Sequence, residues 1–529
     1  MKKSDKKHPE SRKYCVTSGC SNILSQQKSE FNLETPIQLR LFSPEECEML
    51  RPLKWRIFLE TEIGRIYQVL PLSELATLFP YKKSQHPQGV KGYFDVQGGI
   101  ALQVLKHHSG MSDEQVVAHL NGNWHWQYFC GIELSPFKQI KDVDMVGRWR
   151  RYLASFNKGQ TWESAQKVLA KAWQGDMKGI APLSMKLDDA TVYESYIKYP
   201  TNVKLLWDST EWLFERIKEV CKNSHLPLPR FEKYNKQASK QLIYSKLRKK
   251  TKKKERSRRK ELLYWLGRGI DLMQDLINRH SEVRLVLRGI EKQHCENFFE
   301  RFKTVKKVLF QQGLNFKDPD SFKEVVKDRI VSFYKPYLRP IVRGKEAKDV
   351  EFGAKVHMSQ VGGINFIEKL SFKAFHEGNR LLSSLAFHKR ITGHSCKQFG
   401  GDKIYANKKN RAFCKKKGII TCFAKQGNPN WKKKDKEQYE AESKMRQIIG
   451  KARATRLEGS FGNEKNHYLL NKIKARNEQT EVVWIFFGVL TANASIIAQK
   501  RFETQQSNKQ SKPPPQLPLK TKPKIRQAA

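Results

Sequence analysis

The chain has 529 residues, 39% apolar and 11% aromatic, which suffices for real cores and excludes global disorder. It carries 100 Lys and Arg against 53 Asp and Glu, a formal charge of +47, so self-repulsion opposes the free fold and a polyanion is the natural partner. A membrane surface is disfavoured as that polyanion, because no amphipathic basic helix has a Trp-rich face and no long apolar span is present.

Residues 1–54 read as a basic, partly disordered leader without the apolar region and cleavage site of a signal peptide. Nine cysteines, scattered and odd in number, argue against a closed disulfide framework, and reduced thiols fit a cytoplasmic protein. A helical domain is expected over 55–157. It includes Gly98–His107, a following helix with Ser112 or Asp113 as N-cap and Gln115 placed for a capping box if Ser112 is the cap, a turn at Ser135-Pro136 and an Arg-rich helix over 146–153. Its aromatics read as core.

The period then shortens to that of a strand over Leu183–Val192, and a helix follows from Asn202 to Cys221, apolar at Val203, Leu206, Leu213 and Ile217. Residues 222–327 read as helical and polar, with the densest basic run at Lys246–Lys260. Lys249, Lys253 and Arg258 in that run are candidate phosphate contacts. Strands at 350–356 and 364–372 flank Gly362-Gly363, which predicts a hairpin. Next come a helix over 376–391, a short strand over 397–399 ending at Gly400-Gly401-Asp402, a basic helix over 407–417 and a strand over 418–424. Charged helices are expected over 432–456 and 461–474. The apolar stretch 482–498 is short for a span and carries Thr491, Asn493 and Ser495, so it reads as a buried core helix. A Gln/Lys/Pro tail over 505–529 is expected to be disordered.

This order predicts an α/β fold, a mixed sheet flanked by helices over 180–500, with an all-helical N-terminal domain and a basic helical insert at about 203–345. Three acidic residues stand in recognisable phrases: Asp189 in Met185-Lys-Leu-Asp-Asp-Ala-Thr-Val192, Asp402 in Gly401-Asp-Lys-Ile-Tyr405, and Glu458 in Arg456-Leu-Glu-Gly-Ser-Phe-Gly462. The first two follow or sit on strands and the third opens a helix, so a crevice at strand ends is where they would meet. Carboxylates from separate elements suit hard divalent ions, and two such ions activate a phosphodiester. Asp188 and Asp189 point to opposite faces of a strand, so only one can serve. His357, His376 and His394 lack ligand spacing and are assigned no role.

These phrases, in this order, resemble the DDE transposases of bacterial insertion sequences, from the superfamily around insertion sequences four and five. The resemblance covers most of residues 90–495. It also takes in Tyr199-Pro-Thr-Asn202, Asn410-Arg411, Asp328-Arg-Ile-Val-Ser332, Arg339-Pro-Ile-Val-Arg-Gly-Lys345 and Val350-Glu-Phe-Gly-Ala-Lys355. It implies an RNase H-like catalytic domain in which Asp189, Asp402 and Glu458 bind two Mg²⁺ ions, with Mn²⁺ also suited to an oxygen-only site. Lys465, seven residues beyond Glu458, is expected to hold a terminal phosphate. The family arginine expected four residues before the glutamate falls on Ala454, with Arg453 and Arg456 flanking it as candidate DNA contacts.

The implied activity is DNA strand cleavage and strand transfer at terminal inverted repeats, by a homodimer on paired ends of double-stranded DNA, without a membrane partner, in the bacterial cytoplasm and nucleoid. A host RNase H-like nuclease or resolvase, and a non-catalytic DNA-binding protein descended from a transposase, are the alternatives.

Overall fold

The computed structural model describes residues 44–80, 93–134, 139–156, 161–229, 232–294, 297–345, 348–424 and 436–510. Most of the expected leader, the Ser135-Pro136 turn and the tail beyond 510 lie outside the described residues. The described residues up to Thr61 and those from Glu62 onward form two compact units. In the first, the described helix is Pro44–Glu60, with Pro52 inside it and the Trp55 and Phe58 rings 5.2 Å apart.

The second unit opens with a bundle of short helices, among them Glu62–Val69, Val96–Ser109, Asp113–Gly122, Trp124–Phe129 and Met145–Ala154. Local chemistry sets their starts. The Asp95 carboxylate accepts from the Gly98 amide at 2.8 Å, and Ser112 with Gln115 makes the expected reciprocal capping box. Close packing sets their spacing: a Cβ on Gly99 would lie 2.2 Å from the Trp149 ring. The long helix Glu478–Gln510 runs beside this bundle and the sheet. By length and composition it passes the test for a membrane span, yet most of its apolar stretch is buried within the fold. Its last turns, 505–510, were expected to be disordered and are helical instead.

Among the described residues, seven strands form one mixed sheet: β1 (Met185–Ser195), β2 (Pro340–Lys345), β3 (Lys348–Val361), β4 (Ile364–Ser371), β5 (Gln398–Gly400), β6 (Ile420–Thr421) and β7 (Lys472–Ile473). The order is β2-β3-β1-β5-β6, with β4 also on β3 and β7 also on β1. β1 is central, antiparallel to β3 and parallel to β5 and β7, and nearly every residue along it is buried. Burial of both faces accounts for its apolar run at Val192-Tyr193 rather than strict alternation. The β3–β4 hairpin turns on Gly362 (φ +54°) and Gly363 (φ +78°), a pair of left-handed positions that glycine accepts at no steric cost.

Between β1 and β2 stand, among the described residues, six helices from Asn202 to Val325. They bury their own cluster, including Leu213, Phe214, Leu266, Met273, Phe302 and Val305, apart from the sheet cluster around Leu187, Met358, Ile449, Leu457 and Trp484. The insert was expected to run to 345. Its helices instead end at Val325, and Pro340–Lys345 is a strand of the sheet. Proline at a first strand position disguised that strand in the sequence. The helix expected over 461–474 stops at His467, and Lys472–Ile473 pairs with the end of β1.

Candidate active site

Strand pleating divides the acidic pair on β1. Asp188, on one face with Lys186, is fully buried, and the Lys186 ammonium donates to its carboxylate and to the Ser384 hydroxyl. Asp189, on the other face with Leu187, looks toward the helix that carries Glu458. β1 and β5 pair in parallel at Met185↔Gln398, Lys186↔Phe399 and Leu187↔Gly400. Asp189 and Asp402 each come two residues after the last of these pairs, so they stand at matching positions where the parallel pairing ends: Asp189 within β1, which runs on to Ser195 against β3, and Asp402 just past the end of β5. Asp402 is exposed there, and its carboxylate accepts from the Lys403 amide at 2.6 Å, opening a 3-10 turn over Lys403–Tyr405.

The helix Lys436–Ala452 crosses this strand end because Gly400 leaves it room. A Cβ there would lie 2.6 Å from Leu187 Cδ2 and 2.9 Å from Ile449 Cγ2. Arg453–Leu457 then forms a single π-helical turn before the helix Glu458–His467. In an ordinary α-helix residue i−4 lies under residue i, and a π turn moves that place to i−5. The position four residues before Glu458 is Ala454, which is exposed, while Arg453 lies beside the glutamate. Its Nη1 donates to Asp189 Oδ2 at 2.9 Å and its Nη2 lies 3.1 Å from Glu458 Oε1. One guanidinium therefore spans the two carboxylates.

The Asp189 side chain is mostly buried. Burial pushes its pKa up to about 6, against the pull of the Ala190 amide and Arg453, and the nearby charges of Glu377 and Asp402 push the same way. Glu377, which the sequence did not single out, is thus a fourth acid in the neighbourhood, held by Lys355 Nζ at 2.7 Å. Among the described residues, no three His, Cys, Asp or Glu side chains stand close enough to share one metal ion. Asp189 and Glu458 are brought together through Arg453, and Asp402 stays at the next strand end.

Two buried networks fix this arrangement. The Tyr405 hydroxyl meets His357 Nε2, whose other ring nitrogen lies 3.0 Å from Glu368, and Glu368 pairs in turn with Arg380. Asn410 donates to the Gly378 carbonyl at 2.7 Å and the Tyr405 carbonyl at 2.9 Å, tying the turns that carry Glu377 and Asp402. Behind the glutamate helix, Glu464 is buried between the Tyr193 hydroxyl and Asn365 Nδ2, and burial raises its pKa to about 7. Asn365 is itself held by Asn493 of the long helix.

The expected DNA contacts divide. Lys249, Lys253 and Arg456 are exposed, and Lys465 is half-buried with its ammonium 5.9 Å from the Tyr193 ring centroid. Arg258 is a correction: it is 5% exposed and donates to Gln237, Gln241 and Glu261, so it belongs to the insert's interior. Arg453 is likewise committed to carboxylates rather than open to phosphate.

Residues 56–152 match a family model described as a transposase domain (DUF772), which supports a transposase-related protein. The chain is also 23% identical over 120 residues to "Uncharacterized protein ORF8 in nfe locus" of Rhizobium meliloti, a match covering 23% of this chain and 56% of that relative. No solved structure matches.

Proposed function

We propose that the chain is a DDE-type transposase with an RNase H-like catalytic domain, which cuts and joins DNA at the ends of its own element. The observation that carries this reading is the acidic group where the β1–β5 pairing ends: Asp189 on β1 is tied to Glu458 through one guanidinium, and Asp402 follows β5 at the matching position. The transposase-domain match and the charge of +47 support it from outside the site.

The donor set is all carboxylate oxygen and drawn from separate elements, which suits Mg²⁺ or Mn²⁺. Asp189, Asp402 and Glu458 would hold the ions. Bound there, divalent ions supply Lewis acidity at the scissile phosphate, assisting an attacking water or 3′-hydroxyl and a leaving 3′-oxygen.

The chain's own residues do the rest. Asn410 and the Tyr405–His357 contact fix the turn that presents Asp402. Glu464 anchors the glutamate helix to β1, so that Glu458 faces the strand end. Lys465, two turns beyond Glu458 on nearly the same face, would hold a terminal phosphate. Exposed lysines on the insert track the DNA backbone. A homodimer on paired ends is part of the proposal, since both ends must be cut together.

The test is Mg²⁺-dependent nicking and joining of duplex DNA carrying the element's own ends. Asp189→Asn, Asp402→Asn and Glu458→Gln should each lower the rate by at least a hundredfold while leaving DNA affinity within a few-fold. Nicking without joining would identify a nuclease or resolvase. Binding with no metal-dependent cleavage would identify a DNA-binding protein.

A further inference from the structure

The same guanidinium contacts carry a second consequence, which rests on the reading above. Arg453 places its two terminal nitrogens on two different carboxylates, 2.9 Å from Asp189 and 3.1 Å from Glu458. Any ion binding both acids must occupy the space that this cation now fills. We propose that Arg453 is a built-in place-holder: it keeps the two acids paired in the ion-free protein and must withdraw for a divalent ion to bind.

Three features make the exchange feasible. The π turn brings the arginine beside the glutamate from a backbone position one residue removed from the ordinary one, so the pairing is a property of this turn rather than of helical repeat. The Arg453 side chain is 19% exposed and that of Glu458 50%, so the guanidinium lies at the rim of the site and can swing outward without crossing the core. Exposed Asp402, whose charge acts on Asp189, adds a third carboxylate to the same neighbourhood. Without the arginine, Asp189 and Glu458 would face each other as like charges, with Glu377 and Asp402 adding to the repulsion at Asp189. The place-holder therefore stabilises the empty site and competes with the ion that fills it. A guanidinium bridging both acids screens them from adventitious cations until a stronger charge arrives.

The experiment is Mn²⁺ titration of the full-length protein by calorimetry, paired with thermal unfolding in EDTA and in Mn²⁺, for the wild type and for Arg453→Met, Arg453→Lys and Asp189→Asn. Arg453→Met is expected to bind Mn²⁺ about tenfold more tightly than the wild type. It should melt earlier in EDTA and gain more from added Mn²⁺. Arg453→Lys, which keeps the charge but cannot span both acids, should fall between. Unchanged or weaker Mn²⁺ binding by Arg453→Met, with wild-type binding that Asp189→Asn abolishes, would overturn the place-holder and leave the catalytic reading standing. No saturable Mn²⁺ binding in any of the proteins would overturn both. If Arg453→Met fails to fold, Arg453→Lys carries the comparison: affinity equal to or below that of the wild type would overturn the proposal.

Discussion

Tyr405 is wholly buried, and its hydroxyl is the partner of His357 Nε2. Tyr405→Phe leaves that ring nitrogen unpaired inside the fold, which costs about 1–3 kcal/mol. Urea unfolding should show the loss, and a change below about 0.5 kcal/mol would mean that the contact is incidental, well short of the usual cost of an unpaired buried group. Strand parity showed in the sequence that Asp188 and Asp189 face opposite ways, so that only one could serve, while the family phrase and not parity selected Asp189. Arg258 was legible too, had helical phase been counted: stepping by fours from Leu262 and Leu266 puts it on the buried stripe of its helix. Charge density alone hid it among exposed neighbours. Arg258→Met should therefore lower the insert's stability by about 1–3 kcal/mol, because buried Gln237 loses the donors to its side-chain and backbone carbonyls, while DNA affinity changes little. A large affinity loss with unchanged melting would reverse that assignment.

At the scale of elements, the π turn matters most. Deleting Ala454, an exposed residue within it, should return the helix to regular α geometry with Arg453 four residues before the glutamate. Such a variant is expected to keep its melting temperature within a few degrees and its end-nicking rate within about tenfold. An alanine inserted after Leu457 should instead rotate Glu458 away and abolish nicking. If both variants behave alike, the turn does not set the register. No residue pattern in Arg453-Ala-Thr-Arg-Leu457 announces a π turn, because its cause lies in what the side chains reach across the sheet. The Gly362-Gly363 hairpin was legible for the opposite reason, since its geometry is local. Two-residue β7 gave no period to read. Glu464 supplies a pH test. Its pKa is about 7 in the fold against an ordinary 4.5, so the folded state holds an extra proton between those values. Its stabilising contribution is full below pH 4.5 and is lost as pH rises through 7. Glu464→Gln should flatten the fall in melting temperature over pH 5 to 7, and an unaltered slope would mean that another group titrates there.

Across the whole molecule, charge is the dominant fact. Lys249 and Lys253 stand exposed near the joint between the insert helices Glu232–Lys246 and Lys252–Arg279. Changing both to Glu should weaken duplex binding by at least tenfold near 0.1 M salt and reduce the slope of log affinity against log salt by about one per lysine. The change should be uniform across DNA sequences, and an unchanged slope would remove the insert from the binding surface. The presence of a mixed sheet among helices was readable because strands, helices and turns alternate with distinct periods along 180–500. The boundary of the insert was not, since Pro340 and the basic residues after it read as loop.

The insert's separate hydrophobic interior has a consequence for descent. A guest whose packing is self-contained can change its surface, its length or even its ancestry while the host sheet keeps its stability. Copies of this protein carried in different genomes should therefore diverge fastest between residues 202 and 325 and slowest around the strand ends, as though two proteins shared one chain.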